Sequence, residues 1–207
     1  MSVPVPLVYV VDDEEPVGDS IAMLLRTVGL KSRVYRDPRA FLEEYRPEMP
    51  GCLLLDIRMP QMGGLEVQRE LIRRNVALPV IFITGHGDVP MAVEAMRAGA
   101  LDFIQKPFND DELIRRVQKA LEQDAHDREL LQRREELERR WAGLTPRERE
   151  IAGRIADGQA NKKVAAELGI SVRTAELHRA RILQKMGVRS LAQLVQMLVA
   201  LKGASPG

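Results

Sequence analysis

The sequence predicts an α/β domain with a doubly wound, five-stranded parallel sheet, then a long linker helix, then an all-α domain of four helices. Three observations predict this order. Up to about residue 108, short apolar runs alternate with segments of helical period. Residues 109–141 contain no proline or glycine, and four further helical segments follow them. We therefore expect domain boundaries at 1–122, 123–141 and 142–207.

Five apolar runs predict the strands, at residues 7–11, 32–35, 52–55, 79–83 and 102–104. These runs do not alternate strictly between apolar and polar residues, so both faces of the sheet are expected to be covered. Helices are predicted between the strands, at residues 16–28, after Asp37-Pro38, at 63–75, at 91–98 and from 109 onwards. Asp37 is a predicted N-cap and Pro38 a first-turn proline.

The long helical stretch has two apolar segments separated by a polar one. Leu113, Val117 and Leu121 have helical spacing, as do Leu130, Leu137 and Trp141, whereas residues 122–129 are almost wholly polar. We interpret this pattern as a domain helix that continues into a charged, solvated linker. A dimeric coiled coil is the alternative, although its seam is interrupted for about two heptads.

Charge is distributed unevenly along the 207 residues. Residues 1–121 carry 15 basic and 18 acidic residues, whereas residues 142–207 carry 11 basic and 5 acidic ones. A basic C-terminal third favours a nucleic-acid-binding module. The single cysteine, Cys52, excludes an internal disulfide framework and a cysteine-based zinc site. With no long apolar stretch and no secretion signal, we expect a cytoplasmic protein.

Polar residues whose side chains can bind ligands or react follow four of the predicted strands: Asp12 and Asp13, Asp56, Thr84, and Lys106. The carboxyl ends of parallel strands meet at one edge of the sheet, where ligands bind. Clustered carboxylates repel one another, and an oxygen-only ligand set favours Mg²⁺. A carboxylate can also form an aspartyl phosphate, whose charge a lysine and Mg²⁺ would neutralise. Each residue alone has a structural explanation, as a cap, a turn residue or a surface cation.

Four motifs resemble the receiver domain of two-component response regulators, over about residues 5–122: Val10-Val11-Asp12-Asp13-Glu14, Leu55-Asp56-Ile57-Arg58-Met59-Pro60, Ile83-Thr84-Gly85-His86 and Gln105-Lys106-Pro107-Phe108. The resemblance implies a flavodoxin-like sheet and makes Asp56 the phosphoacceptor. It implies Mg²⁺ ligands at Asp12, Asp13, Asp56 and the Arg58 carbonyl.

The same resemblance implies a switch pair, Thr84 and Phe103, a phosphate-binding Lys106, and a cis Lys106–Pro107 bond. Phe103 has an alternative interpretation as a plain core residue. We interpret His86 as a loop residue near the site rather than as a metal ligand or phosphodonor.

The C-terminal segment has the pattern of a helix-turn-helix. A turn at Gly169-Ile170 and an N-cap at Ser171 separate helices at 161–168 and 172–186, between a helix at 146–156 and one at 191–201. In the helix at 172–186, one side is predicted to face inward, and it consists of Val172, Ala175, Ile182 and Met186. The opposite side consists of Arg173, Glu176, Leu177, Ala180, Arg181 and Gln184, and the cations around it are Lys162, Lys163, Arg179 and Lys185. A DNA major groove admits such a helix, whereas a small protein-interaction domain is the alternative.

Three segments resemble the LuxR-type DNA-binding domain over about residues 142–202: Leu144-Thr145-Pro146-Arg147-Glu148-Arg149-Glu150, Asn161-Lys162-Lys163-Val164-Ala165 and Ser171-Val172-Arg173-Thr174-Ala175-Glu176-Leu177-His178-Arg179. The resemblance implies base-edge positions at Glu176, Leu177 and Ala180, and backbone contacts at Thr174, Lys162 and Arg179. By the same resemblance the last helix dimerises, although its leucines would also suit a helical core. The whole chain is similar to response regulators of the FixJ, TodT and StyR kind.

These interpretations predict a phosphorylation-activated transcriptional regulator rather than an enzyme. Its expected partners are a sensor histidine kinase, double-stranded promoter DNA, RNA polymerase and a second copy of the chain. A DNA-binding protein whose receiver is never phosphorylated is the first alternative. An aspartate-based phosphatase is the second, but such enzymes usually have Asp-x-Asp on the first strand, where this chain has adjacent Asp12-Asp13.

Overall fold

The structure, a computed structural model, describes residues 5–85 and 89–203, without the side chains of residues 89, 202 and 203. Two compact units divide between Arg128 and Glu129, and each is described by itself. His86 and residues 204–207 lie outside the described residues. Within the described ranges, we find no helix with the length and apolarity needed to cross a bilayer.

The first unit contains the predicted parallel sheet. Its strands are β1 (Leu7–Val11), β2 (Lys31–Tyr35), β3 (Gly51–Asp56), β4 (Val80–Thr84) and β5 (Asp102–Gln105). Their spatial order is β2-β1-β3-β4-β5, and every neighbouring pair is parallel. The strand order reverses beside β1, because β2 and β3 flank it on opposite sides. This reversal creates a crevice at the carboxyl ends of β1 and β3.

Helices cover both faces of this sheet. They are α1 (Glu15–Thr27), α2 (Pro38–Glu44), α3 (Gly64–Arg73), α4 (Val89–Arg97) and the first part of α5 (Asp110–Ala142). Neighbouring residues of β3 enter different cores, with Leu53 and Leu55 in one apolar cluster and Leu54 in the other. The continuous apolar runs are therefore explained by burial on both sides, and the predicted fold class is confirmed.

Close packing at Gly64 places the start of α3 against the end of β3. A Cβ atom at this position would lie 2.3 Å from the Asp56 carbonyl oxygen and 2.9 Å from a ring carbon of Phe82. Both distances are shorter than real Cβ contacts, so a larger residue would push the helix away from the strand. Glycine at this position therefore helps to fix the backbone that carries Asp56.

The second unit is helical, with α6 (Pro146–Ala156), α7 (Asn161–Glu167), α8 (Val172–Met186) and α9 (Leu191–Gly203). Its buried core includes Leu144, Ile151, Val164, Ile182 and Leu194. The Thr145 side chain accepts a hydrogen bond from the Glu148 backbone, and the Glu148 carboxylate accepts one from the Thr145 backbone. This reciprocal pair is the predicted cap of α6.

The end of α5 belongs to this helical core. Leu137 and Trp141 pack against it, whereas Leu130 and Leu131 are 49% and 56% exposed. Packing within the second unit thus takes up two of the three apolar residues in the second segment of the α5 pattern. The coiled-coil alternative stays a prediction.

Three details differ from the sequence-based predictions. The predicted solvated segment 122–129 contains Asp124, which is 2% exposed. Val172 does not face inward, because it is 42% exposed at the start of α8, whereas Ala175, Ile182 and Met186 are buried. The Lys185 ammonium donates to Glu148 at 2.7 Å and so supports the fold of this unit.

The predicted domain boundaries stay a prediction.

Candidate functional sites

Three predicted site residues meet at the carboxyl edge of the sheet. Asp12 follows β1, Asp56 ends β3 and Lys106 follows β5. The Lys106 ammonium lies 3.1 Å from Asp12 Oδ2 and 2.9 Å from Asp56 Oδ1. A third contact, 3.5 Å to the exposed Glu14 carboxylate, was not predicted, although Glu14 directly follows the Asp12-Asp13 pair. One cation therefore bridges two carboxylates from strands that are adjacent in the sheet.

The second oxygen of each carboxylate is held by the nearby backbone. Asp12 Oδ1 accepts from the Glu14 N–H at 2.9 Å, and Asp56 Oδ2 accepts from the Arg58 N–H at 2.7 Å. Each side chain thus has one oxygen fixed locally and one directed at the shared ammonium. This arrangement orients both carboxylates before any ligand binds.

Burial makes this site electrostatically costly. Asp12 is fully buried and Asp56 is 7% exposed. Burial raises the pKa of Asp12, and Lys106 opposes that shift. Burial also raises the pKa of Asp56. The Lys106 ammonium lowers this pKa, whereas the negative charge of Asp12 raises it further. Burial acts against the charged form of Lys106, but Asp56 and Asp12 more than offset it and raise the pKa of this lysine.

The acidic side chains at this edge of the sheet present carboxylate oxygens, which are the ligands that Mg²⁺ prefers. Asp13, the third predicted carboxylate ligand, is partly buried beside Asp12, and Arg58 is exposed two residues after Asp56. Within residues 5–85 and 89–203, no group of three or more His, Cys, Asp or Glu side chains lies close enough together to hold a metal ion. Asp12 and Asp56 nevertheless place two buried carboxylates beside each other, with the Lys106 ammonium between them. Hard oxygen ligands and clustered negative charge favour binding of Mg²⁺.

The two predicted switch residues differ in exposure. Thr84 is 3% exposed, and its hydroxyl donates to the Ile104 carbonyl oxygen at 3.3 Å. Phe103 is 39% exposed on β5, which overturns its interpretation as a core residue. The Lys106–Pro107 bond is cis.

The second candidate site is the pair α7 and α8. The turn between them contains Gly169 at φ 63°, and the Ser171 side chain caps α8 by accepting from the Thr174 N–H. Exposed side chains of this pair are those of Lys162, Arg173, Glu176, Leu177, Ala180 and Arg181, while Thr174 and Arg179 are partly buried. The predicted contact residues are therefore all at least partly accessible to solvent, which groove recognition requires.

Two of the four cations predicted around this surface have acidic neighbours. Lys185 is bound to the buried Glu148, so it is a poor candidate for a phosphate contact. Lys163 lies 3.9 Å from Glu167, a weaker pairing.

Comparison with known families assigns both units. A response regulator receiver domain matches residues 8–118, and the family of bacterial regulatory proteins of the luxR type matches residues 142–198. The chain is 43% identical over 199 residues to transcriptional regulatory protein FixJ of Azorhizobium caulinodans, covering 96% of this chain and 94% of that one.

Two other relatives extend the match. Response regulator protein TodT of Pseudomonas putida strain F1 is 39% identical over 196 residues, covering 95% of this chain and 86% of TodT. The solved structure of response regulator StyR has a TM-score of 0.89 and 41% identity, covering 94% of this chain and 98% of StyR. The chain therefore belongs to the two-component response regulators in which a receiver domain precedes a LuxR-type DNA-binding domain, a family of transcriptional regulators.

Proposed function

We propose that Asp56 accepts a phosphoryl group from a sensor histidine kinase and that this modification controls binding of the second unit to promoter DNA. The observation that carries the proposal is the Lys106 ammonium shared between Asp12 and Asp56, with Lys106 Nζ 2.9 Å from Asp56 Oδ1. We keep residues 1–122 as the receiver, 123–141 as the linker and 142–207 as the DNA-binding domain.

The transfer step is an in-line displacement. A carboxylate oxygen of Asp56 forms a bond to phosphorus as the bond between phosphorus and the kinase's histidine nitrogen breaks, and the imidazole leaves with the electron pair. The Arg58 N–H orients the acceptor carboxylate, and Lys106 moves its hydrogen bond to a phosphoryl oxygen. Mg²⁺ held by Asp12, Asp13, Asp56 and the Arg58 carbonyl would supply further charge neutralisation.

The new phosphoryl charge then biases a conformational equilibrium. Thr84 exchanges its hydrogen bond to the Ile104 carbonyl for one to the phosphoryl group, and Phe103 changes its exposure in response. The altered receiver surface favours a homodimer, and two DNA-binding units on one duplex increase the effective concentration of the second. RNA polymerase is the expected downstream partner.

Labelling with a radioactive small phosphodonor tests the phosphoacceptor. We expect Mg²⁺-dependent label, sensitive to hydroxylamine, in the parent and in Asp19→Asn, which alters an exposed carboxylate on α1. Asp56→Asn should incorporate no label. Equal label in Asp56→Asn would place the acceptor elsewhere, and many turnovers on phosphate esters would favour a phosphatase.

The DNA-binding residues that we propose are Lys162, Arg173, Thr174, Glu176, Leu177, Arg179, Ala180 and Arg181. Lys162→Ala should weaken binding to all duplexes alike and reduce the salt dependence, because it removes a phosphate contact. Glu176→Ala should instead change base preference, since a glutamate accepts from cytosine N4. Selection from a random duplex pool measures both, and an unchanged preference in Glu176→Ala would contradict the assigned face.

Sedimentation of the labelled and unlabelled protein tests the dimer. We expect the mass to double on phosphorylation of the parent and to stay constant in Asp56→Asn. Tighter DNA binding without phosphorylation-dependent association would instead favour release of the DNA-binding unit as the output.

A further inference from the structure

The buried face of α5 does not end where its apolar residues end. Leu113, Val117 and Ala120 are buried at spacings of four and three residues, and the next buried side chain, four residues on, is that of Asp124. These positions lie on one face of the helix. An acid thus occupies the place where an apolar residue would continue the core, and a buried carboxylate needs hydrogen bonds there.

Asp124 obtains these bonds from two directions. Its Oδ2 accepts from the Gly51 N–H at 2.9 Å, at the start of β3. The Arg128 Nε, one turn further along α5, donates to both carboxylate oxygens, at 2.9 and 2.8 Å. Asp124 therefore joins the helix to the amino end of the same strand that carries Asp56 at its carboxyl end.

Arg128 extends the connection to the loop before β3. Its Nη1 donates to the Pro47 carbonyl at 2.7 Å, and its Nη2 donates to the Met49 carbonyl at 2.8 Å. The planar guanidinium can satisfy these carbonyls and the Asp124 carboxylate at the same time, which a lysine cannot do. Burial acts against the charged form of Arg128, but Asp124 more than offsets it and raises the pKa of the guanidinium.

The backbone that donates to Asp124 is fixed by its packing against β1. Gly51 has φ 154°, and a Cβ atom there would lie 1.9 Å from the Leu7 carbonyl oxygen, so only glycine fits. The Leu7 N–H in turn donates to the Pro50 carbonyl at 3.0 Å. The loop and the strand start are thus held by β1 on one side and by α5 on the other.

We propose that Asp124 and Arg128 form a polar latch that keeps α5 helical and attached to the first unit through residue 128, and that phosphorylation changes DNA binding only while this latch is closed. The first unit ends at Arg128, which agrees with such an attachment. Without the latch, α5 loses the hydrogen bonds that join it to Pro47, Met49 and Gly51, and the polar segment 122–129 frays. The coupling of phosphorylation to DNA binding rests on the proposed function, whereas the attachment of α5 to the first unit does not.

The test compares Arg128→Met with Arg133→Met, which makes the same change in an exposed ion pair further along α5. In Arg128→Met we expect amide hydrogen exchange of residues 122–130 to accelerate by about tenfold or more, because three charge-assisted contacts are lost. Arg133→Met should match the parent. Arg128→Lys, which keeps the cation without the planar fork, should retain more protection than Arg128→Met. Unchanged exchange in Arg128→Met would overturn the latch.

Coupling is measured with acetyl phosphate as donor and a duplex selected by the phosphorylated parent. Arg128→Met should incorporate label at the parent's level, which also shows that its receiver is folded. Its DNA affinity, however, should differ by no more than about twofold between the phosphorylated and the unphosphorylated protein. Asp124→Asn should behave in the same way. A parental gain in Arg128→Met would overturn the coupling. Absence of label in the parent would instead refute the proposed function, and the exchange measurement would still decide the latch.

Discussion

Removal of the shared ammonium at the carboxyl edge is the most direct test of the site's electrostatics. Lys106→Met keeps the stem of the side chain but leaves Asp12, fully buried, and Asp56, 7% exposed, without their common cation. Removing one partner of a buried ion pair costs roughly 3–5 kcal/mol. Because the Lys106 side chain is 23% exposed, we expect the lower end, about 3 kcal/mol, at pH 7.

The loss should depend on pH in a defined direction. Burial raises the pKa of both carboxyls above 3.8 in the folded protein, so their ionisation destabilises the native state as pH rises through that folded pKa. Lys106 opposes this shift, and its removal deepens it. The deficit of Lys106→Met relative to the parent should therefore be small near pH 4 and increase towards pH 7.

Urea unfolding in the presence of a chelator measures this deficit. With a slope of about 2 kcal/mol per molar, the midpoint of the receiver transition should fall by about 1.5 M at pH 7. Far-UV circular dichroism follows both units, whereas fluorescence of the single tryptophan, Trp141, follows the second unit, whose transition should not move. The control is Lys119→Met, at an exposed position of α5. A deficit equal at both pH values, or no larger than that of the control, would refute the reasoning.

Three further predictions concern packing and capping. Gly64→Ala should destabilise the receiver by about 1–3 kcal/mol and slow labelling, since its Cβ would lie 2.3 Å from the Asp56 carbonyl oxygen; parental labelling and stability would contradict this packing argument. Gly153→Ala should stabilise the second unit by about 0.5–1 kcal/mol in tryptophan-detected melting, because it replaces an interior helix glycine with open space around its Cβ, and a lower melting temperature would count against that account. Hydrogen bonds from Lys185 and the Thr145 backbone lower the pKa of Glu148 to about 2, so stability from this pair should be present above pH 4.5 and be lost as pH falls towards 2. Lys185→Met should flatten this acid dependence, and an unchanged acid profile would show that the pair contributes little.

Local sequence patterns were sufficient for the fold because they reflect local physics. The apolar runs, the Asp37 cap, which accepts from the Arg39 N–H, and the Thr145 capping box involve residues close in the chain. The convergence of Asp12, Asp56 and Lys106 also followed, since parallel strands place their carboxyl ends together. The exposure of Phe103 and Val172 was harder to predict, because apolar residues in an edge strand or at the start of a helix can face either way.

The order of elements, the all-parallel sheet and the helix-turn-helix were determined by hydrophobic periodicity and by cap and turn residues, which act within a few positions. Only the tertiary structure decided that Asp124 lies on the buried face of α5 and binds Gly51, 73 residues earlier in the chain. It likewise decided that the Lys185 ammonium donates to the buried Glu148 carboxylate, 37 residues earlier in the chain. A charged residue looks the same in the sequence whether it is solvated or buried. The partner that makes its burial tolerable comes from a distant segment of the chain, and only the tertiary structure shows that partner.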